Sequence, residues 1–303
     1  MASAGEAART PAAGAAEWIR LLRARQWVKN FFVLAALLFS GRAGEPAAVI
    51  AAFAAFAAFC LLSSAVYVLN DVADRESDRA HPVKRSRSLA SGRIAPAPAV
   101  GVGLLLGVAG LGLSIAVGTD VALVGAAYLA LNMVYTVRLK RVVILDVFAL
   151  AAFFVLRLLA GAAAVDVAPS IWLLLCGGLL ALYLGFAKRR HELLLMGEGS
   201  VAHREVLAHY GPVFLDQMSV VLLSVTIVSY IMYTLVSETA VAVGTDTLVY
   251  STVFVLYGVF RYLYLVHQRD GGSPTETLLT DRALLIDILL WLAYCGWAIY
   301  RPF

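Results

Sequence analysis

The sequence predicts an all-α, polytopic membrane protein that folds as one bundle of nine transmembrane helices. Hydrophobic residues make up 61% of the 303 residues and charged residues only 15%, and mean hydropathy is +0.84. Soluble domains are on average roughly half apolar and about one quarter charged. A soluble core cannot absorb this much apolar surface, whereas apolar runs about as long as a bilayer is thick are typical of spanning helices.

Nine apolar stretches define the predicted spans, and the first is the least regular. The stretches lie near residues 27–42, 49–69, 98–117, 120–137, 143–164, 169–187, 214–236, 246–266 and 283–301. Trp27, Lys29 and Asn30 interrupt the first, which we expect to enter obliquely or to begin at Phe31. Residues 1–17, rich in alanine, are predicted to form a disordered tail, and residues 18–303 a single domain.

The distribution of positive charge predicts the orientation. Most of the 24 Lys and Arg residues fall in the segments that are cytoplasmic if the N-terminus is inside, and cytoplasmic loops retain such residues. We therefore expect a multi-pass protein of the cell inner (plasma) membrane with its C-terminus outside. The long polar loops lie on the cytoplasmic side, where chemistry is expected because loops on a rigid scaffold usually carry function.

Four oxygen-bearing side chains, Asn70, Asp71, Asp74 and Asp78, follow the second span. If the helix continues, Asn70, Asp74 and Asp78 share one face. Magnesium is usually held by one or two carboxylates together with substrate phosphates and waters. The pattern predicts a magnesium site with these four residues as ligands, and with Asp74 and Asp78 as catalytic residues. The alternative is a solvated, salt-bridged helix end, because arginines are interleaved with the acids.

Three cations, Lys84, Arg85 and Arg87, follow the acids after a turn at Pro82. Acids for a metal beside cations for phosphate are the arrangement that a phosphoryl substrate requires. The retention of Lys and Arg in cytoplasmic loops would by itself account for these cations. It does not account for the acids that precede them.

The motif Asn70-Asp71-x-x-Asp74-x-x-x-Asp78 resembles the first aspartate-rich motif of the UbiA superfamily of intramembrane prenyltransferases. More narrowly, the chain is similar to the decaprenyl-phosphate phosphoribosyltransferase branch. Stretches that carry this similarity lie within residues 25–30, 64–71, 139–146, 157–161, 187–192 and 261–282. Ordinary prenyltransferases have a second aspartate-rich motif where this chain has Lys188, Arg189 and Arg190. Cations there fit a substrate with a metal-bound diphosphate and a further phosphate, or they anchor the helix at lipid headgroups.

The resemblance implies magnesium-dependent transfer of 5-phosphoribose from phosphoribosyl diphosphate to a polyprenyl (decaprenyl-type) phosphate, with release of diphosphate. The implied partners are these two substrates and membrane lipid, with no nucleic acid and a possible homo-oligomer. The candidate phosphate- and substrate-binding residues are Gln26, Lys29, Asn30, Tyr67, Lys84, Arg85, Arg87, Tyr135, Lys140, Arg157, Lys188, Arg189 and Glu192.

Several of these residues have a second interpretation. A mid-span arginine such as Arg157 costs at least about 2.5 kcal/mol unless it is paired or faces water, so it either binds a phosphate or forms a structural pair. Lys29 either binds phosphate or extends to the interface. Asp146 is a possible partner for Tyr135 and Lys140.

Two other functions compete with phosphoribosyl transfer. A UbiA-type prenyltransferase acting on an aromatic or lipid acceptor would use the same acids, but acids would be expected where Lys188 and Arg189 stand. A transporter of an anionic lipid or metabolite would need polar residues through both membrane halves, whereas those of this chain cluster on one face.

Overall fold

The computed structural model describes residues 14–80, 82, 84–196, 205–236, 247–268, 277 and 280–300. Gly271, Gly272 and Glu276, which belong to one stretch of the family resemblance, lie outside these ranges. The α-helices are α1 (Ala15–Leu22), α2 (Ala35–Phe39), α3 (Pro46–Ala73), α4 (Arg75–Ala80), α5 (Pro96–Val117), α6 (Thr119–Val137), α7 (Leu145–Ala164), α8 (Ile171–Met196), α9 (Pro212–Val236), α10 (Thr252–Gln268) and α11 (Arg282–Tyr300).

Eight helices within the described residues are long and apolar enough to cross a membrane, by length and composition. They are α3 and α5 to α11, the segment around α10 being extended by the short turn that starts at Leu248. This confirms the predicted all-α, polytopic membrane fold. Lys140, just before α7, pairs with Asp74 at the end of α3, and Tyr210, just before α9, donates to Asp146 at the start of α7. The end of α3 and the starts of α7 and α9 therefore lie at one end of the bundle, which we call the polar end.

The first predicted span has an unusual backbone. Residues Ala24–Leu34 form a 3₁₀ helix of 11 residues, although such helices rarely exceed about four residues. Residues three apart share a face in a 3₁₀ helix, and Asn30 and Val33 on one such face are 0% exposed. Trp27, on the same face, donates from its indole nitrogen to Ser64 Oγ at 3.0 Å.

This 3₁₀ segment runs antiparallel along α3 and continues into α2. Trp27 contacts Ser64 near the end of α3, while Ala36 in α2 packs with Ala48 and Ala52 near the start of α3. The first predicted span therefore corresponds to this composite of a 3₁₀ helix and a short α-helix, in agreement with the irregular start predicted from its polar residues.

A hydrophobic core lies between the 3₁₀ segment, α3, α6 and α7. Val33, Phe59, Tyr128 and Phe153 are buried together there. The Tyr128 ring lies between the other two rings, with centroid distances of 5.4 Å to Phe59 and 5.4 Å to Phe153. Two residues of this aromatic layer, Tyr128 and Phe153, also hydrogen-bond the buried Arg157.

Gly161 allows the 3₁₀ segment to approach α7 closely, and its replacement is expected to be costly. A Cβ atom at Gly161 would lie 1.9 Å from the carbonyl oxygen of Val33. Because backbone rather than a flexible side chain stands in the way, Gly161→Ala is expected to lower the free energy of unfolding by about 1–3 kcal/mol or more. Thermal unfolding in detergent measures this. Gly178→Ala is the matched control, because its Cβ would make an ordinary 3.5 Å contact with Val155, and an equal loss in both variants would contradict the prediction.

Helix α1 ties the N-terminal part of the chain to the loop after α4. It begins at Ala15, so Ala15–Glu17, assigned above to the tail, are helical. Ser88 Oγ donates to Glu17 Oε2 at 2.6 Å, and Arg93 Nε donates to the same oxygen at 3.1 Å. The hydrogen bond from Ser88 and the positive charge of Arg93 lower the pKa of Glu17. Glu17 therefore anchors the loop that carries the predicted basic residues.

Candidate active site

The acid ridge, defined as Asn70, Asp71, Asp74 and Asp78, follows a nearly helical path at the polar end. Only Asp74, between α3 and α4, departs from helical geometry, with φ −90° and ψ 7°. The backbone bonds from Asp74 N to Asn70 O and from Asp78 N to Asp74 O are both kept, at 2.8 Å. The helix is thus interrupted by one residue, and the spacing of the ridge survives the interruption.

Arg87 and Lys140, which lie on two separate segments, bind the carboxylates of the acid ridge. Arg87 Nη1 lies 3.2 Å from Asp71 Oδ1 and 2.6 Å from Asp78 Oδ2. Lys140 Nζ lies 3.1 Å from Asp74 Oδ1, so its partner is Asp74 rather than Asp146. Asn70 Oδ1 accepts a hydrogen bond from Thr136 Oγ1 at 2.9 Å.

The donor set of the ridge fits a magnesium ion that arrives with its substrate. Asp71 and Asp78 are buried and direct one oxygen each at a single arginine nitrogen, so both can reach one cation. In the described ranges no group of three or more His, Cys, Asp or Glu residues is arranged to hold a metal ion. Two converging carboxylates with phosphate and water completing the shell are the usual magnesium arrangement. The ligand set named above stays a prediction.

A second group of polar residues lies deeper, next to the aromatic core. Arg157 is 3% exposed. Its Nε donates to Asn30 Oδ1 at 2.7 Å, its Nη1 to the Phe153 carbonyl at 2.8 Å and its Nη2 to the Tyr128 hydroxyl at 3.1 Å. Lys29 directly precedes Asn30, the residue that accepts the hydrogen bond from Arg157 Nε. We call Lys29, Asn30, Tyr128 and Arg157 the deep cation pocket.

Tyr67 connects the deep cation pocket to the acid ridge. It stands one helical turn before Asp71 in α3, and the charges of Arg157, Arg23 and Asp71 all act on it. Gln26 is three residues before Lys29 and therefore on the same face of the 3₁₀ segment. The structure thus places Asn30 against Arg157 and Tyr67 one turn from the acid ridge, with Gln26 and Lys29 on a neighbouring face of the 3₁₀ segment that carries Asn30.

The predicted basic motif at the end of α8 has a different environment. The Arg189 side chain is 0% exposed, and its Nε lies 2.6 Å from Asp146 Oδ2, which is also 0% exposed. Arg189 Nη1 lies 2.5 Å from Glu192 Oε2, and the Tyr210 hydroxyl donates to Asp146 Oδ1 at 2.7 Å. Lys188 Nζ is 4.0 Å from Glu192 Oε1. Asp146, Arg189 and Tyr210 form a buried network that joins α7, α8 and the segment before α9, and Lys188 and Glu192 lie at its partly exposed edge.

The remaining candidates lie at the edges of the site. Lys84 and Arg85 are exposed in a short 3₁₀ helix, Lys84–Ser86. Tyr135 packs edge-on against Phe153 with a centroid distance of 5.9 Å. Of the three cations after Pro82, Arg87 therefore contacts the acid ridge directly, and the other two stand on the loop surface.

Arg23 is a site residue that the sequence analysis missed. It forms an ion pair with Asp71, and its guanidinium carbon lies 5.0 Å from the centroid of the Tyr67 ring. Its backbone is left-handed, with φ 53°, a conformation that is uncommon outside glycine and costs about 1–3 kcal/mol. Arg23 lies among several Lys and Arg residues near the start of the first span. These residues were interpreted only as evidence of the orientation in the membrane.

Comparison with known proteins identifies the family. The sequence profile described as the UbiA prenyltransferase family matches residues 30–289. The chain belongs to the UbiA prenyltransferase family. It is 33% identical over 295 residues to the decaprenyl-phosphate phosphoribosyltransferase of Mycolicibacterium smegmatis, covering 93% of this chain and 92% of that one. The enzyme of the same name from Corynebacterium glutamicum is 32% identical over 287 residues, covering 93% and 86%.

Solved structures share the same architecture. A UbiA homolog from Archaeoglobus fulgidus bound to GPP and Mg2+ superposes with a TM-score of 0.70 at 18% identity, over 94% of this chain and all of that one, 100%. At this identity the likeness shows the fold alone. Together the comparisons confirm the predicted family resemblance, including its phosphoribosyltransferase branch, and show that this UbiA-family protein is a transferase.

Proposed function

We propose that this UbiA-family transferase moves 5-phosphoribose from phosphoribosyl diphosphate to a polyprenyl phosphate of the decaprenyl type and releases diphosphate. The observation that carries the proposal is the convergence of Asp71 and Asp78 on Arg87 beside the Asp74–Lys140 pair. Metal-type oxygens and phosphate-type cations meet there at one end of a membrane bundle. The two relatives from Mycolicibacterium smegmatis and Corynebacterium glutamicum, both named decaprenyl-phosphate phosphoribosyltransferase, support the same reaction.

The acid ridge would hold the leaving diphosphate through magnesium, with Asp74 and Asp78 as ligands together with Asn70 or Asp71. When bound, the ion neutralises charge that develops on the leaving group. Arg87 and Lys140 bind carboxylate oxygens in the structure, and the same donors suit phosphate oxygens. They therefore stand where a diphosphate held on the ridge can take them as partners.

The acceptor needs little chemical activation. A phosphate monoester is already ionised at neutral pH, so its oxygen can attack the ribose carbon without a strong general base. What the protein must supply is position and charge compensation. Lys84, Arg85, Lys188 and Arg189 remain candidates for binding the other phosphates, and Glu192 holds the last two of these in place.

We also propose that the polar end faces the cytoplasm of a cell whose inner membrane holds the protein. The concentration of Lys and Arg in the loops of this end supports that orientation. It would give soluble phosphoribosyl diphosphate access from the cytoplasm while the lipid acceptor enters from the bilayer.

The test is a transfer assay with purified full-length protein. With magnesium, labelled phosphoribosyl diphosphate and polyprenyl phosphate, we expect label in the lipid and an equal amount of released diphosphate, both lost with EDTA. The control omits the lipid, which separates transfer from hydrolysis. Diphosphate release from a prenyl diphosphate with an aromatic acceptor, and none from phosphoribosyl diphosphate, would instead make the protein an ordinary prenyltransferase.

A further inference from the structure

Among the described residues, no carboxylate pairs with either positive charge of the deep cation pocket. In the described part of the chain, the three hydrogen-bond partners of Arg157 are neutral: an amide oxygen, a backbone carbonyl and a tyrosine hydroxyl. Within the part of the chain that the structure describes, the Lys29 side chain has neither a hydrogen bond nor an ion pair. The charges that act on Lys29 are those of Arg157 and Arg23, and both are of like sign.

Such an arrangement is unfavourable in the ligand-free protein. Removing a charge from water costs several kcal/mol unless an opposite charge repays it, and Lys29 adds repulsion to the burial of Arg157. Arg23 differs, because Asp71 compensates it. Local arrangements that oppose stability are expected where a ligand supplies what is missing, and here the missing element is an anion.

The geometry of the pocket favours a compact anion over a metal complex. Asn30 fixes its depth, because its amide nitrogen lies 3.3 Å from Cys60 Sγ and 3.2 Å from Ser63 Oγ in the middle of α3. At a rise of 1.5 Å per residue, this is roughly 12 to 16 Å along α3 from Asp71. Metal-binding oxygens lie at Asp71 and beyond, so an anion in the pocket meets cations and neutral donors instead.

The neighbours of Arg157 also prepare it for this role. Three acceptors on three different segments, the 3₁₀ segment, α6 and α7, fix its guanidinium plane. A guanidinium held in this way presents donors that match the tetrahedral oxygens of a phosphate. Tyr128 and Tyr67 add hydroxyl groups close to the same charge.

We propose that the deep cation pocket binds a phosphate monoester without a metal ion, through Lys29 and Arg157. The identity of that monoester rests on the proposed function, in which both substrates carry one: the 5-phosphate of the sugar donor and the phosphate of the lipid acceptor. The pocket thereby separates the metal-free phosphate from the diphosphate on the acid ridge.

Thermal unfolding in EDTA tests metal-free binding directly. The probes are ribose 5-phosphate and farnesyl phosphate, with ribose and farnesol as their phosphate-free controls. One phosphate probe is expected to raise Tm by about 5 °C at a concentration roughly 100 times its Kd, while its control does not. A shift with ribose 5-phosphate assigns the pocket to the donor, and a shift with farnesyl phosphate assigns it to the acceptor. No shift with either probe overturns the proposal.

Lys29→Met tests the pocket with the same readout. Because the substitution removes a repelled charge, Tm without ligand is expected to stay equal or rise, while the phosphate-induced shift falls by at least about 80%. Lys29→Arg should keep the shift. Arg25→Met is the matched control, because Arg25 is an exposed cation on the same 3₁₀ segment, and it should behave as the wild type.

The outcomes separate this proposal from the proposed function. A retained shift in Lys29→Met, or a lower ligand-free Tm in that variant, overturns the pocket even if phosphoribosyl transfer is observed. A lost shift together with an unchanged or higher Tm supports the pocket even if the transfer assay fails, in which case the proposed function falls and the phosphate site stands.

Discussion

Replacing Asp74 with Asn is expected to lower kcat/KM for phosphoribosyl transfer by about 10³-fold or more with little change in Tm. The Asp74 side chain is 43% exposed and pairs with Lys140, whose side chain is 27% exposed. A pair this open contributes only about 0–1 kcal/mol to stability. The proposed reaction, in contrast, depends on the charge of Asp74 to hold magnesium against the diphosphate.

A neighbouring acid provides the control for charge and location. Glu76 lies in α4, its side chain is 77% exposed, and it pairs with Arg79 at 3.1 Å. Glu76→Gln removes the same charge two residues away, so kcat/KM should stay within about twofold of the wild type if the effect belongs to the ridge. Full activity in Asp74→Asn, or an equal loss in Glu76→Gln, would contradict the magnesium site. Titration with magnesium should also show a higher requirement in Asp74→Asn.

The long apolar runs made the fold predictable from the sequence. They did not predict the backbone conformation of the first span. Hydropathy is a local property, and it locates eight helices that also appear in the structure. The 3₁₀ form of residues 24–34 depends instead on two distant partners. Ser64 Oγ accepts a hydrogen bond from the Trp27 indole nitrogen, and Gly161 allows the backbone at Val33 to approach α7. Local propensity contains neither contact, so the sequence revealed an interruption but not its geometry.

The same distinction between local and distant information applies to the site. The acid ridge and Arg87 lie within one short stretch, so their spacing predicts a shared location. Arg23 pairs with Asp71 over 48 positions, Lys140 with Asp74 over 66, and Arg157 with Asn30 over 127. Pairings of this kind are set by helix packing. Sequence reasoning therefore named most of the cations, but it suggested Asp146 as a possible partner for Lys140, which pairs with Asp74, and it passed over Arg23.

Arg189 illustrates why a cation in a motif does not by itself indicate a ligand contact. Its position in a basic run predicts phosphate binding, and that prediction stands untested. In the structure its guanidinium meets Asp146, which is 43 positions earlier, and Glu192. A buried network of this kind can hold the end of α8 in place, or it can hold Arg189 ready for a phosphate, and substitution separates the two.

Asp146→Asn is expected to lower the free energy of unfolding by about 3 kcal/mol, because the buried Arg189 guanidinium loses one of its two carboxylate partners and keeps only the partly exposed Glu192. Both side chains of the Asp146–Arg189 pair are 0% exposed. Tyr210 can still donate to the amide oxygen of the new residue, so the lost charge is the main change. Denaturant or thermal unfolding in detergent measures the effect.

Two further variants determine what the network does. Asp216→Asn breaks the adjacent pair with Arg190, which has the same 2.6 Å length but exposures of 39% and 16%, and it should cost less than about 1 kcal/mol. Adding Arg189→Met to Asp146→Asn should restore most of the lost stability, because the buried guanidinium that lost Asp146 is then absent. If the restored double variant transfers phosphoribose normally, Arg189 acts through the fold. If the double variant is stable but inactive, Arg189 binds substrate, and the network holds its side chain in position for that contact.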